Sequence, residues 1–80
     1  MKDDRKVLIE AIINYCDDRG VCCRATSSRG PLGNTMCLEF SRKNKTLRVY
    51  YSHYEILQNV NWVIDQIKND IDKLVEEAEQ

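Results

Sequence analysis

The last third of the chain has the pattern of a long helix, and any fold of this chain must accommodate that helix. Apolar residues recur there at alternating spacings of three and four, as in an amphipathic helix. These residues are Leu57, Val60, Ile64, Ile67, Ile71, Leu74 and Ala78. Ser52 and Glu55 are spaced as in a capping box, which predicts where the helix begins. Because neither glycine nor proline follows Ser52, the sequence predicts one unbroken helix over 53–79.

Such a helix is longer than a small sheet can cover. About 26 helical residues span about 39 Å, whereas strands of about six residues span about 20 Å. Apolar side chains would then project past the sheet, which favours a homodimer through this helix. The predicted interface consists of Ile64, Ile67, Ile71, Leu74, Val75 and Ala78. The apolar residues from Leu57 to Ala78 form a stripe along the helix. In the alternative, the first helix and the sheet bury this whole stripe within one chain.

The preceding residues predict one helix and three strands. Apolar residues at helical spacing from Leu8 to Cys16 indicate a helix over about 4–19, and Gly20 is a stop signal. Apolar and polar residues then alternate in three short runs, as in antiparallel strands with one covered face. The expected class is α+β in the order α-β-β-β-α: a three-stranded antiparallel meander with two helices packed on one face and a long C-terminal helix. The chain of 80 residues is predicted to be a single domain, 1–80.

The two strand connections predict the register of the sheet. If Lys43-Asn44 is a two-residue turn, Leu38 lies opposite Val49. Residues 27–34, with two glycines and a proline, are predicted to form a longer loop. Pairing inward-facing residues across that loop places Cys23 opposite Leu38.

Charge divides the chain into a basic middle and an acidic end. Residues 21–53 hold six cations against Glu39 alone, a net of +5, and residues 54–80 hold two cations against seven acids, a net of −5. This asymmetry would steer an anionic partner to one side, although charged side chains can also serve only solvation. The predicted binding residues on the basic face and its loop are Arg24, Arg29, Arg42, Lys43, Lys45, Arg48 and Tyr50. Arg29 is expected on the 27–34 loop, where it could reach an anion.

The four cysteines raise the question of whether the protein is in a reducing compartment or is stabilised by a disulfide. They are Cys16, Cys22, Cys23 and Cys37, and the N-terminal residues do not resemble a secretory signal. We therefore expect a cytoplasmic protein with reduced thiols, while a disulfide remains the alternative. The cysteine spacing and the single His53 do not match a zinc site, and no metal or cofactor is predicted. No apolar run is long enough for a membrane helix.

One spacing in the sequence resembles a catalytic motif. Cys23 and Arg29 match the Cys-x5-Arg spacing by which phosphatases place a thiolate beneath a phosphate. That chemistry requires a loop leading into a helix N-terminus, whereas another strand is predicted here. We therefore predict a protein that is not an enzyme.

The predicted element order resembles that of double-stranded-RNA-binding domains, which recognise RNA by its shape. The lysine cluster that begins the second helix of that family has no counterpart in residues 52–60, so no functional residues are transferred. In size and style the chain is similar to accessory proteins of phages and mobile elements, including some anti-CRISPR inhibitors. We therefore predict a small regulatory protein that occupies a partner protein's surface. The alternative is a nucleic-acid or nucleotide-binding module that uses the basic sheet and Arg29.

Overall fold

A layer of helices lies on one face of a three-stranded sheet in the computed structural model, which describes residues 4–31 and 33–79. The helices are α1 (Asp4–Arg19), α2 (His53–Gln58) and α3 (Val60–Ala78). The strands are β1 (Cys22–Gly30), β2 (Gly33–Arg42) and β3 (Lys45–Ser52). They pair antiparallel in the order β1-β2-β3. The predicted α+β class and its α-β-β-β-α order are confirmed.

Helix α1 ends at a left-handed glycine. Gly20 has a φ of 66°, and its N–H donates to the Asp17 carbonyl at 3.3 Å. The Val21 N–H donates to the Cys16 carbonyl at 2.9 Å. These two bonds form a Schellman motif, which satisfies carbonyls that the helix end leaves without partners. Val21 is thereby buried and the chain turns back into the sheet.

The start of α2 has the capping box that the sequence predicts. The Ser52 hydroxyl accepts the Glu55 N–H at 3.1 Å, and the Glu55 carboxylate accepts the Ser52 N–H at 3.2 Å. Two donors of the first turn are therefore satisfied. This fixes the point at which β3 becomes a helix and directs Ile56 into the core.

The predicted register is correct for one strand pair and wrong for the other. Leu38 lies opposite Val49, as the Lys43-Asn44 turn predicts. Across β1 and β2, however, Leu38 lies opposite Ala25 rather than Cys23. The strands continue to Gly30 and Gly33, so residues 27–34 do not form a long loop. Because the shift is two residues, every side chain keeps its predicted face.

The core lies between the helices and one face of the sheet, which we call the inner face. Its buried residues come from all three helices, the central strand and the α1–β1 connection: Leu8, Ile12, Cys16, Val21, Met36, Leu38, Phe40, Ile56, Val63, Ile64, Ile67, Ile71 and Leu74. Among the described residues, no polar or charged residue is buried. Inner-face burial is therefore apolar, as expected for a sheet covered on one side.

The last helical segment is broken, so the prediction of one helix over 53–79 is wrong. At the break, Asn59 has φ −155° and ψ 70°, and its side chain accepts the Trp62 N–H at 3.3 Å. Asparagine is a favoured N-cap, and here it starts α3 as a separate helix. Because the helix is broken at this point, Leu57 is 58% exposed. Its spacing groups it with the apolar residues of α3 that are buried.

The stripe of α3 packs inside its own chain. Four residues of the predicted dimer interface are buried: Ile64, Ile67, Ile71 and Leu74. Val75 and Ala78 are half-buried. The expectation that they project past the sheet is wrong, because the helix is shorter and the strands are longer than assumed. The 19 residues of α3 span about 28 Å, and the ten residues of β2 span about 33 Å.

None of the helices in the described ranges has the length and apolar content needed to cross a membrane. The described residues also contain no group of three or more histidine, cysteine or acidic side chains placed to hold a metal ion.

Candidate functional site

The helices leave one face of the sheet uncovered, and we call it the outer face. Its side chains alternate with those of the inner face along each strand. It consists of Cys22, Arg24, Thr26 and Ser28 from β1, Thr35, Cys37, Glu39 and Ser41 from β2, and Thr46, Arg48, Tyr50 and Ser52 from β3. Short polar side chains dominate this face, with a few longer groups near its centre.

The longer groups form two adjacent rows across the strands. In one row, Glu39 lies between Arg24 and Arg48. The Arg48 Nε donates to a Glu39 carboxylate oxygen at 2.7 Å, and this hydrogen bond raises the pKa of Arg48. In the next row, Cys37 separates Thr26 from Tyr50.

Tyr50 is 64% exposed. Arg48 is its neighbour on the same face of β3, and Arg24 lies across β2 in the adjacent row. This arrangement can accept a carboxylate on the arginines and an apolar or planar group on the ring. The outer face has two cations and one acid, a net charge of +1. Its chemistry is that of recognition by hydrogen bonds, charge and ring contact.

The other predicted cations do not join this face. Arg42 lies at the β2–β3 turn and reaches the helix layer, where its guanidinium donates to the Arg19 carbonyl and its Nε donates to Glu79 at 3.1 Å. The Lys43 ammonium lies 3.5 Å from the same carboxylate. The Arg42 hydrogen bond, with the charge of Lys43, lowers the pKa of Glu79. Arg42 and Lys43 thus connect the turn to α3.

Lys45 lies on the helix side of β3, opposite Arg42. It lines a shallow cavity of about 170 Å³ between β3 and α3, together with Lys73 and the acids Asp70 and Glu77. Cations and acids are mixed there, so this cavity does not extend the basic surface.

The structure places Arg29 on a strand rather than on a loop, which corrects the sequence prediction. Arg29 lies opposite Asn34 near the end of the β1–β2 hairpin, on the inner-face side, and it is exposed. The seven predicted binding residues are therefore divided among four places: the outer face, the contact with Glu79, the cavity beside Lys45 and the end of the β1–β2 hairpin. Only Arg24, Arg48 and Tyr50 share the outer face.

Strand β1 is an edge strand that the helices barely cover. Of its nine residues, eight are exposed and Cys23 is half-buried. Ala25 is exposed even though it occupies an inner-face position opposite buried Leu38. The helix layer thus reaches β1 at Cys23 and leaves residues 24–30 open on both faces.

The thiols also differ in their surroundings. Burial raises the pKa of the Cys16 thiol to about 12 and also raises the pKa of Cys23. A raised pKa keeps a thiol protonated and unreactive. Six extended residues also separate Cys23 from Arg29 by about 20 Å, so this pair does not form a thiolate–phosphate loop. Cys22 is exposed.

Sequence reasoning missed three exposed apolar side chains near the break between α2 and α3. Tyr54 is 70% exposed, Leu57 58% and Trp62 52%. Large apolar groups exposed close together in the chain are a common feature of contact surfaces. The N-cap preference of Asn59 was the available signal, because a helix start at Val60 would have removed Leu57 from the stripe.

Comparisons with protein-family models, with curated proteins and with solved structures found no match to this chain.

Proposed function

We propose that this chain is a non-enzymatic protein-binding module whose outer face contacts a partner protein. The observation that carries the proposal is the uncovered outer face, where Tyr50 is exposed beside Arg48, with Arg24 across β2 on the same face. Tyrosine and arginine are enriched among residues that dominate binding energy, because they combine large contact area with directional hydrogen bonds. The partner surface is expected to present carboxylates around an apolar or planar group.

The distribution of cations supports a protein partner over a polyanion. The net +5 of residues 21–53 would favour nucleic acid if all six cations shared one surface. Two of them contact Glu79, Lys45 lies among acids, and Arg48 is hydrogen-bonded to Glu39. A weakly basic face with mixed charge is better suited to a specific protein contact.

Nucleic-acid binding is the second candidate, and one observation favours it. An exposed tyrosine on an open sheet can stack on an unpaired base while arginines of the same face contact phosphates. Such binding would weaken steeply as salt is raised, whereas a protein contact governed by shape would change less.

A module of this size is expected to act by occlusion, because it can cover a partner's functional surface without carrying out a reaction. Accessory inhibitors of phages and mobile elements act in this way, and we propose the same type of role here. Cytoplasmic localisation and a homodimer stay predictions. A dimer would have to use residues outside the buried stripe of α3.

The test compares two double charge reversals that change net charge equally. Arg24→Glu with Arg48→Glu alters the outer face, and Lys45→Glu with Lys73→Glu alters the helix side. Partners captured from an extract of the source cells would be identified by mass spectrometry, and their affinities measured by calorimetry. We expect the outer-face variant to lose at least about tenfold in affinity, equivalent to about 1.4 kcal/mol, and the control to bind like the wild type. Equal affinity of both variants would remove the outer face from the proposal.

A labelled single-stranded oligonucleotide, titrated at low and at physiological salt, tests the second candidate. Binding that falls steeply with salt and disappears in the outer-face variant would favour nucleic acid over a protein partner.

A further inference from the structure

Strand β1 offers a backbone edge that is open over residues 24–30. It is the first strand of the sheet, with β2 on one side only. Residues 24–30 are exposed on both faces, so the helix layer does not block the space beside the strand. Proline and charged side chains are common on edge strands, where they prevent pairing. Strand β1 has no proline, and its only charged residues are Arg24 and Arg29.

The hairpin geometry identifies which backbone groups are open. Gly30 lies opposite Gly33, and Arg42 lies opposite Lys45, each pair closing a two-residue connection. The two residues of a closing pair hydrogen-bond to each other through their N–H and C=O groups. Along an antiparallel ladder, such hydrogen-bonded pairs alternate with pairs that are not hydrogen-bonded. Counted from either hairpin, the odd-numbered residues of β2 are the ones whose backbone groups hydrogen-bond to β1. The open groups of β1 therefore belong to its own odd-numbered residues: Cys23, Ala25, Ser27 and Arg29.

Charge favours one kind of occupant. Arg24 and Arg29 give β1 a charge of +2, and the strand contains no acid. Among the described residues, neither arginine has an ion-pair partner, because Glu39 is hydrogen-bonded to Arg48. A second copy of β1 would bring another +2 and no carboxylate. An acidic strand would complement both arginines.

We propose that β1 accepts an extended acidic segment of a partner protein as a fourth, antiparallel strand. This mode of recognition rests on the proposed protein-binding function and adds the partner's conformation and charge to it. Main-chain hydrogen bonds at the odd-numbered positions supply affinity, and two carboxylates supply specificity. Because Arg24 and Arg29 lie on opposite faces five residues apart, the complementary acids are five residues apart on the segment.

The probe is a synthetic peptide as long as β1, nine residues, of threonine and valine with glutamate at its second and seventh positions. In antiparallel register these glutamates lie opposite Arg29 and Arg24. Titration into ¹⁵N-labelled protein should shift the amide signals of residues 22–30 and few others. A peptide with lysine at the same two positions should bind at least about tenfold more weakly, because like charges then lie opposite each other.

N-methylation of the peptide separates strand pairing from charge attraction. Methyl groups on its fourth and sixth residues remove the N–H groups that face Ser27 and Ala25, and should weaken binding about tenfold or more. A methyl group on the fifth residue, whose N–H points away from β1, should change affinity less than about twofold. Equal affinity of all three peptides would overturn strand addition.

A protein variant provides the reciprocal test. Ser27→Pro removes an outward N–H that the β2 ladder does not use, while Ser27→Val keeps it and serves as the matched control. We expect only Ser27→Pro to lose peptide binding, with unchanged circular dichroism for both. If sedimentation instead shows a dimer that only Ser27→Pro dissociates, a second copy occupies the edge and the acidic-segment proposal is wrong. Ser27→Pro leaves Arg24, Arg48 and Tyr50 in place, so a Ser27→Pro protein that keeps full affinity for the partner would overturn strand addition and leave the outer-face proposal standing.

Discussion

Strands β1 and β2 are neighbours of similar length, nine and ten residues, with opposite environments. Three successive inner-face residues of β2 are large and buried: Met36, Leu38 and Phe40. The corresponding residues of β1 are Cys23, Ala25 and Ser27, of which two are exposed. Because these side chains are small, a helix layer packed on them would bury little apolar area and would add little to the free energy of folding. Strand β2 therefore stabilises the fold, whereas β1 is available for binding.

The largest effect is expected where β2 meets the helices. Phe40→Ala removes a fully buried ring and should lower the free energy of unfolding by about 3–5 kcal/mol. On the exposed neighbouring strand, Thr26→Ala should change it by less than about 0.5 kcal/mol. Urea denaturation followed by circular dichroism measures both. Similar losses for the two variants would contradict the division between the strands.

A smaller effect is expected at the link between α1 and β1. Gly20 has a positive φ, and a Cβ there would lie 2.9 Å from the Arg42 guanidinium. Gly20→Ala should therefore destabilise the protein by about 1–2 kcal/mol, through left-handed strain and displacement of Arg42. The melting temperature reports this loss. An unchanged melting temperature would show that α1 does not end in the Schellman motif.

The smallest effect is expected at the exposed contact between the β2–β3 turn and α3. Arg42 holds the pKa of Glu79 below its ordinary value, so the carboxylate contributes to stability above the unfolded-state pKa. That contribution is lost as pH falls through the lower, folded-state pKa. A carbon-detected NMR titration should give Glu79 a midpoint below 4.5. Arg42→Gln should move that midpoint upward, and a midpoint insensitive to the substitution would contradict the contact.

The sequence predicted the parts of the fold that local chemistry determines. Ser52 and Glu55 fixed the start of α2, and Gly20 fixed the end of α1, because capping depends on a few neighbouring residues. The Lys43-Asn44 turn gave the correct β2–β3 register. In each case a short segment has one favourable way to satisfy its backbone groups.

The errors arose where one pattern allowed two structures. The glycines and proline of 27–34 are compatible with a loop or with a tight hairpin, and the pairing of β1 with β2 selected the hairpin. Apolar spacing continued through Asn59, so it concealed the helix break. Charge counted along the chain could not show that Arg42 reaches the helix layer while Arg24 lies on the outer face.

Amide hydrogen exchange in the isolated protein tests the open β1 edge most directly. We expect the Ala25 and Ser27 amides to exchange at nearly the rate of an unstructured chain, because their N–H groups point away from β2. The Thr26 amide, between them, should exchange more slowly, and the Leu38 amide should approach the protection set by global unfolding. If Ala25 and Ser27 are as protected as Leu38, the edge is already occupied and β1 is not available to a partner.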